Sequence, residues 1–423
     1  MGAWCIYAPY VTPDKVADMT SPGMKERADN ASCALTAPTR RLLGPGPSDV
    51  SPRVLAAMAQ PTVGHLDPFF VARMDEVKEG LRRAFMTRQP LTFPVSAPGS
   101  AGMEACVVNL VVPGDTVVIG TNGVFGGRMA ENARRAGAEV VEVTHPWGSP
   151  VDPGRMEEAL RAHPEARVMG FVHAETSTGV RSDANALAKV ARAHDCLTIV
   201  DTVTSLGGIE LRVDDWALDA VYSGSQKCLS CTPGLSPVTF SGRALDRVDR
   251  RKTPVQSWFL DLSLVRAYWE SSPGTGSGSG GARSYHHTAP VNAVYGLHES
   301  LTMLHEEGLE AAWARHQRAH EALVAGARAL GLTFRVPAGD RLPQLNVLEV
   351  PAGVDDAAVR GKLLEQFGIE IGAGLGPWKG QVWRVGLMGF GATTTNVLAL
   401  LEALESILGR AGGVEAASSR VGA

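Results

Sequence analysis

Between residues 91 and 240, short runs rich in β-branched and apolar side chains alternate with helical segments, and this rhythm constrains the chain more than any other feature. The runs fall at 91–96, 116–119, 139–143, 167–173, 197–200, 220–222 and 235–240, with helices predicted from Gly99, Phe125 and Asp152 and over 183–194. Near-continuous apolar runs are the mark of strands buried on both faces, and parallel neighbours need a crossover, usually a helix. The expected fold is α/β: a large domain with a mostly parallel, seven-stranded sheet covered by helices. Ligands of such sheets sit beyond the strands' carboxyl ends.

The flanking segments read differently. Residues 1–41 mix Pro, Asp, Ser, Thr and Lys without periodicity and are predicted to be a poorly ordered extension. Ser51-Pro52 offers an N-cap and a first-turn proline, and an amphipathic run follows over 68–86. The Gly/Ser-rich segment 271–281 has too few apolar side chains to pack and reads as a flexible loop. Two helical stretches (290–307 and 309–330) precede short strands at 346–350, 369–371 and 382–385, the pattern of a smaller α/β domain. The predicted division is an extension over 1–41, a large domain over 42–305 and a small C-terminal domain over 306–423.

Composition narrows the function. Hydrophobic residues at 44% and charged residues at 20% allow a sizeable core, which excludes whole-chain disorder. The net charge of −4 is too balanced for a polyanionic partner, so nucleic acid is not expected. Apolar stretches are too short to span a bilayer, and the first 41 residues lack the basic start and apolar run of a secretory signal. Six cysteines are too sparse for a disulfide framework. A cytoplasmic protein with neither membrane nor nucleic-acid partner is expected.

The chemistry concentrates in two strand ends. Ile199-Val200-Asp201 puts an acid at the end of a buried strand, and Tyr222-Ser223-Gly224-Ser225-Gln226-Lys227 puts a lysine after a turn at the end of another. An acid and an amine meeting there suit pyridoxal phosphate, whose aldehyde condenses with a lysine while a carboxylate keeps the ring nitrogen protonated. A structural ion pair fits the spacing equally well. The turn Pro98-Gly99-Ser100 opens a helix whose free amides could hold a phosphate, and Phe125, among glycines at the next strand end, could stack on a planar ring. Each is also compatible with a plain turn and a core phenylalanine. Arg384, inside the apolar strand Val382-Trp383-Arg384-Val385, needs a partner that a substrate carboxylate would supply, unless it faces solvent from an edge strand. His286 and His287 are expected to point to opposite sides of an extended segment, which argues against a metal site. Cys228-Leu229-Ser230-Cys231 lacks a second pair for zinc and is expected to be structural.

Taken together, Gly44-Pro45-Gly46-Pro47-Ser48, Glu175-Thr176-Ser177-Thr178-Gly179-Val180, Asp201-Thr202-Val203-Thr204-Ser205-Leu206-Gly207-Gly208, the Tyr222 to Lys227 run and Tyr285-His286-His287-Thr288 form an ordered set. It resembles the class V aminotransferases of fold type I, most closely the alanine-glyoxylate and serine-pyruvate group. The resemblance implies that Lys227 carries the internal aldimine, Asp201 pairs with the pyridinium nitrogen, Val203 lies beneath the ring, Phe125 stacks above it and Thr176 reaches the ring hydroxyl. It further implies a phosphate held by Gly99, Ser100 and Gln226, with Tyr285 and Thr288 contributed by a second subunit of a homodimer. Arg384 would fix the substrate carboxylate, and Gly46 would border the substrate entrance.

The implied reaction is a ping-pong transfer of the amino group of alanine or serine to a small 2-oxo acid such as glyoxylate or pyruvate. No metal is implied. Another donor, such as an aminophosphonate, stays open. A cysteine desulfurase would need a reactive cysteine well after the lysine, and the last cysteine here is Cys231. A non-catalytic binding protein is disfavoured by the joint presence of Lys227, Asp201 and Arg384.

Overall fold

A computed structural model describes residues 36–270 and 283–421. The predicted extension up to residue 35 and the predicted loop at 271–281 lie outside the described residues. In chain order the strands are β1 (Arg41–Leu42), β2 (Leu91–Val95), β3 (Thr116–Thr121), β4 (Glu139–Thr144), β5 (Val168–Val172), β6 (Ala174–Glu175) and β7 (Val180–Arg181). They continue with β8 (Leu197–Asp201), β9 (Ala220–Tyr222), β10 (Ser236–Phe240), β11 (Leu345–Glu349), β12 (Ile369–Glu370), β13 (Gly372–Ala373) and β14 (Val382–Gly386).

All the apolar runs predicted between 91 and 240 are strands of one seven-stranded sheet, ordered β2-β10-β9-β8-β5-β3-β4. β2, β5, β8 and β10 are buried along their whole length, as continuous apolar runs require. β3, β4, β5, β8 and β9 pair in parallel, whereas β10 is antiparallel to both of its neighbours. The reason is local: residues 223–235 return from β9 to β10 as a loop without the helix that a parallel crossover uses. That loop carries Lys227.

Side-chain caps start the helices where the sequence offers Asp or Ser. Asp67 caps Pro68–Phe85, Asp152 caps Pro153–Ala162 and Asp183 caps Ala184–Ala193, each accepting from an amide of the first turn. Helix Gly99–Leu110 is different: Pro98 stands at its N-cap and makes no side-chain hydrogen bond.

The apolar interior forms two main clusters. One joins the large sheet to its helices, from Val54 to Ala312; the other gathers Leu43 with residues between Ala319 and Ala417. Around the second, β11, β14 and β13 form an antiparallel sheet with β14 in the middle. β1 pairs with β12, Arg41 opposite Ile369, so Arg41 is tied into the body although the sequence leaves it in the extension. A two-residue strand is too short to show a period. The same holds for the β6–β7 hairpin, which the sequence reading does not contain. Among the described residues, no helix is long and apolar enough to cross a membrane.

Candidate active site

β8 and β9 lie side by side in register, Asp201 opposite Tyr222, so the two side chains rise from one face of the sheet. Asp201 is 3% exposed; its Oδ1 accepts from the Val203 amide at 2.9 Å and its Oδ2 from the Tyr222 hydroxyl at 2.7 Å. Burial pushes the Asp201 carboxyl up to about 7, against the pull of those two donors. An acid in this state responds strongly to a neighbouring cation.

Lys227 lies on the loop that leaves β9. Its amine donates to the Pro45 carbonyl, and its backbone is gripped from the same motif: Ser48 Oγ donates to the Lys227 carbonyl at 2.7 Å and the Ser48 amide to the Gln226 carbonyl at 2.9 Å. Gly46 has a φ of +108°, and a Cβ there would come within 2.7 Å of Lys227 Cδ. The backbone of this turn therefore favours glycine, and a side chain there would push the flexible Lys227 stem aside. Desolvation lowers the Lys227 ammonium to about 8; the cation of Arg384 adds to the shift, while Cys228 and Asp201 oppose it.

Arg384 is 7% exposed on the middle strand β14 rather than on an edge, so the solvent-facing alternative is excluded. Its Nε donates to the Ala373 carbonyl at 2.7 Å and its Nη1 to the Thr176 carbonyl at 3.1 Å. Burial lowers it to about 10, which leaves it cationic at neutral pH. Thr176 sits on the connection of the β6–β7 hairpin, its hydroxyl 2.7 Å from that of Thr204.

Gly99 lies against Val203 and the Ser223–Gly224 turn: a Cβ built on it would be 3.4 Å from Val203 Cγ2 and from the Ser223 carbonyl oxygen. The start of helix Gly99–Leu110 thus faces the loop of Lys227. Phe125 lies in the first turn of helix Val124–Arg135, and the Arg128 guanidinium stands 4.9 Å from its ring centre while donating to Ser100 Oγ at 3.4 Å.

Of the residues singled out in the sequence, Lys227, Asp201, Val203, Thr176, Gln226, Gly99, Ser100, Phe125, Arg384 and Gly46 belong to this connected network. Tyr285 and Thr288 are exposed; Tyr285, 61% exposed, packs on His65. The expectation that the two neighbouring histidines diverge is wrong. The chain bends at His287, the two Nδ1 atoms meet at 2.8 Å, and His287 Nε2 lies 2.7 Å from Ser96 Oγ. Cys228 and Cys231 are buried free thiols.

The sequence reading missed Tyr222 as the partner of Asp201, Arg128 beside Phe125, and Glu175. The signal for Tyr222 was its place at the end of a strand. Glu175 was visible only as one letter of a motif.

The class V aminotransferase family matches residues 55–379. Alanine–glyoxylate aminotransferase of Rattus norvegicus is 40% identical over 375 residues, spanning 88% of this chain and 89% of its own. The crystal structure of alanine–glyoxylate aminotransferase from Nostoc sp. superposes with a TM-score of 0.85 at 43% identity, covering 94% of this chain and all of that one. That of ureidoglycine–glyoxylate aminotransferase from Bacillus subtilis gives 0.87 at 36% identity, covering 92% and 100%. The chain belongs to the class V aminotransferases. It is accordingly a transaminase of fold type I that depends on pyridoxal phosphate.

The residues present fit that cofactor. Helix Gly99–Leu110 begins without a side-chain cap, leaving its first amides available to a phosphate. Gln226 Oε1 is buried and, among the described residues, without a partner, so its amide can turn either face to a ligand. Asp201 and Lys227 supply the acid and the amine.

Proposed function

We propose that this enzyme transfers the amino group of a small amino acid, alanine or serine, to a small 2-oxo acid such as glyoxylate or pyruvate. The observation that carries the reading is the meeting of buried Asp201 and Arg384 with a half-buried Lys227 near the strand ends, with Lys227 brought to about 8. The names of the relatives, which specify alanine and glyoxylate, support the substrate class.

Pyridoxal phosphate, when bound, supplies an aldehyde that condenses with amines and a ring that takes up the electrons left when an α-proton departs. Gly99, Ser100 and Gln226 would hold its phosphate, Phe125 and Val203 its two ring faces, Thr176 its hydroxyl and Asp201 its ring nitrogen. Asp201, kept in place by Tyr222 and the Val203 amide, holds a proton on that nitrogen. Arg384, anchored through two of its N–H groups, turns the rest of its fork to the substrate carboxylate. Lys227 Nζ takes the α-proton from the donor and, in the return half-reaction, a proton reaches the acceptor's α-carbon from the same amine. An ammonium brought to about 8 leaves enough free amine near neutral pH for this task.

The active unit in this reading is a homodimer in which Tyr285 and Thr288 of each subunit complete the phosphate site of the other. Leu66, Phe69, Trp258 and Tyr285 are exposed, and ring contacts link His65 to Tyr285 and Trp258 to His286, which supports an apolar interface there. Among the described residues, four buried free thiols are in keeping with the reducing cytoplasm.

Borohydride reduction of the protein loaded with pyridoxal phosphate should fix the cofactor on the Lys227 peptide, and Lys227→Ala should bind cofactor without turnover. A panel of amino donors against glyoxylate and pyruvate should single out alanine or serine; indifference to both would reject the substrate class. Mixing Lys227→Ala with Tyr285→Ala protomers should restore part of the activity if the site is shared.

A further inference from the structure

We propose that Glu175 is a positioning residue that holds Phe125, Thr176 and Arg384 in register by capping, from a separate hairpin, the helix that carries Phe125. Helix Val124–Arg135 has Gly123 at its N-cap and therefore no side chain of its own to satisfy its first amides. The β6–β7 hairpin satisfies them instead. The Val124 amide donates to Ser177 Oγ at 2.9 Å, and the amides of Phe125 and Gly126 donate to Glu175 Oε2 at 3.1 and 3.2 Å. Glu175 Oε1 accepts from the Ser177 amide at 3.0 Å and from its hydroxyl at 2.6 Å.

The amides of Phe125, Gly126 and Ser177 and the Ser177 hydroxyl all donate to this carboxylate, which is fully buried. The arrangement therefore uses an acceptor on both oxygens, and a glutamine would set an NH2 group against N–H donors. Burial pushes the Glu175 carboxyl up while these hydrogen bonds pull it down. Gly123 follows from the same geometry: a Cβ there would lie 2.5 Å from Glu175 Cδ, so a conventional N-cap side chain and this carboxylate exclude each other.

The consequence reaches beyond one helix. Thr176 lies between the two capping residues, and its carbonyl accepts from Arg384 Nη1. The negative charge of Glu175 also favours the cationic form of buried Arg384. One carboxylate thus sets the height of Phe125, the backbone of Thr176 and the orientation of the Arg384 fork. The inference rests on the proposed function in one respect: it takes Phe125 and Arg384 to flank cofactor and substrate.

The test uses the full-length enzyme and Glu175→Gln, with Ser177→Ala as a milder second variant should the first fail to fold. Hydrogen exchange on the apoprotein should show amides 124–126 exchanging at least tenfold faster in either variant. Titration of apoprotein with pyridoxal phosphate should show about tenfold weaker binding. In the loaded enzyme, KM for both L-alanine and glyoxylate should rise about tenfold while kcat changes less, a split that a loss of helix stability alone does not produce. Wild-type exchange at 124–126, or faster exchange with unchanged KM and cofactor affinity, would overturn the proposal. If the wild-type protein itself neither binds pyridoxal phosphate nor transaminates, the functional reading fails, and the exchange result still judges the cap.

Discussion

Tyr222 and Asp201 face each other across the β8–β9 pair, and the phenol donates to a carboxylate oxygen at 2.7 Å where neither group meets solvent. A buried carboxylate needs donors to stay charged, and the Val203 amide and this phenol provide them. The tyrosine thereby helps determine how readily Asp201 holds the ring nitrogen.

Removing that phenol should therefore move the acid limb of the activity profile. Tyr222→Phe keeps the ring and its packing but deletes one hydrogen bond to a charged group, an interaction of ~1.5–3 kcal/mol. Loss of this donor raises the Asp201 carboxyl, which burial already pushes upward, so the acid limb shifts to higher pH and kcat/KM falls ~10- to 100-fold. Initial rates from about pH 5 to 9 read both effects.

At Gly46 a single methyl group should suffice to disturb the lysine. The backbone there has a φ of +108°, and the new Cβ would sit 2.7 Å from Lys227 Cδ. Gly46→Ala is expected to lower stability by ~1–3 kcal/mol and to reduce the borohydride-trapped cofactor on Lys227. Thermal unfolding and peptide mapping measure the two separately.

Arg384→Lys tests the carboxylate fork. The guanidinium bonds two backbone carbonyls and still has N–H groups to offer; an ammonium on a flexible stem cannot reproduce that geometry. A ~100-fold loss in kcat/KM for the amino acid is expected, most of it in KM. Steady-state kinetics with alanine as donor would show it.

Acid should destabilise the fold through buried neutral histidines. His316 makes Nδ1 contact with the Ala312 carbonyl at 2.7 Å and accepts from the Gly389 amide through Nε2 at 2.9 Å, a pairing that needs the neutral ring. Burial lowers His316 to about 4, below its unfolded value near 6.5. The unfolded chain thus binds the proton more readily, so the stabilisation is fully present above pH 6.5 and is lost as pH falls towards 4, roughly 3 kcal/mol in all. Asp201 in the apoprotein runs the other way, its contribution declining as pH rises from 3.8 to about 7. Denaturant unfolding of wild type and His316→Gln across this range isolates the histidine: the variant should be less stable at neutral pH, with a flatter acid decline.

Much of this was open to reading in the chain. The strands of the large sheet are buried along their length, so their apolar runs announce themselves, and the alternation with helices leaves few topologies other than a parallel sheet. Asp201 and Lys227 stood out because strand ends in such sheets face ligands. The β6–β7 hairpin and β1 were not legible because two-residue strands have no period; they exist through partners far along the chain, such as Ile369 for Arg41. The histidine pair was misjudged because a bend, set by packing on Ser96 and the Trp258 ring, overrides the alternation of an extended segment.

What the sequence by itself determined is the sheet and the chemical kind of its site, since both follow from local pattern: buried runs, turns, and an acid and an amine at strand ends. Only the tertiary structure decided the protonation and aim of those groups. Tyr222 reaches Asp201 from the next strand, Pro45 and Ser48 hold Lys227 from about 180 residues away, and Glu175 caps a helix in place of a side chain that Gly123 lacks. Such terms depend on desolvation and on distances between remote segments, and neither quantity exists until the chain has folded.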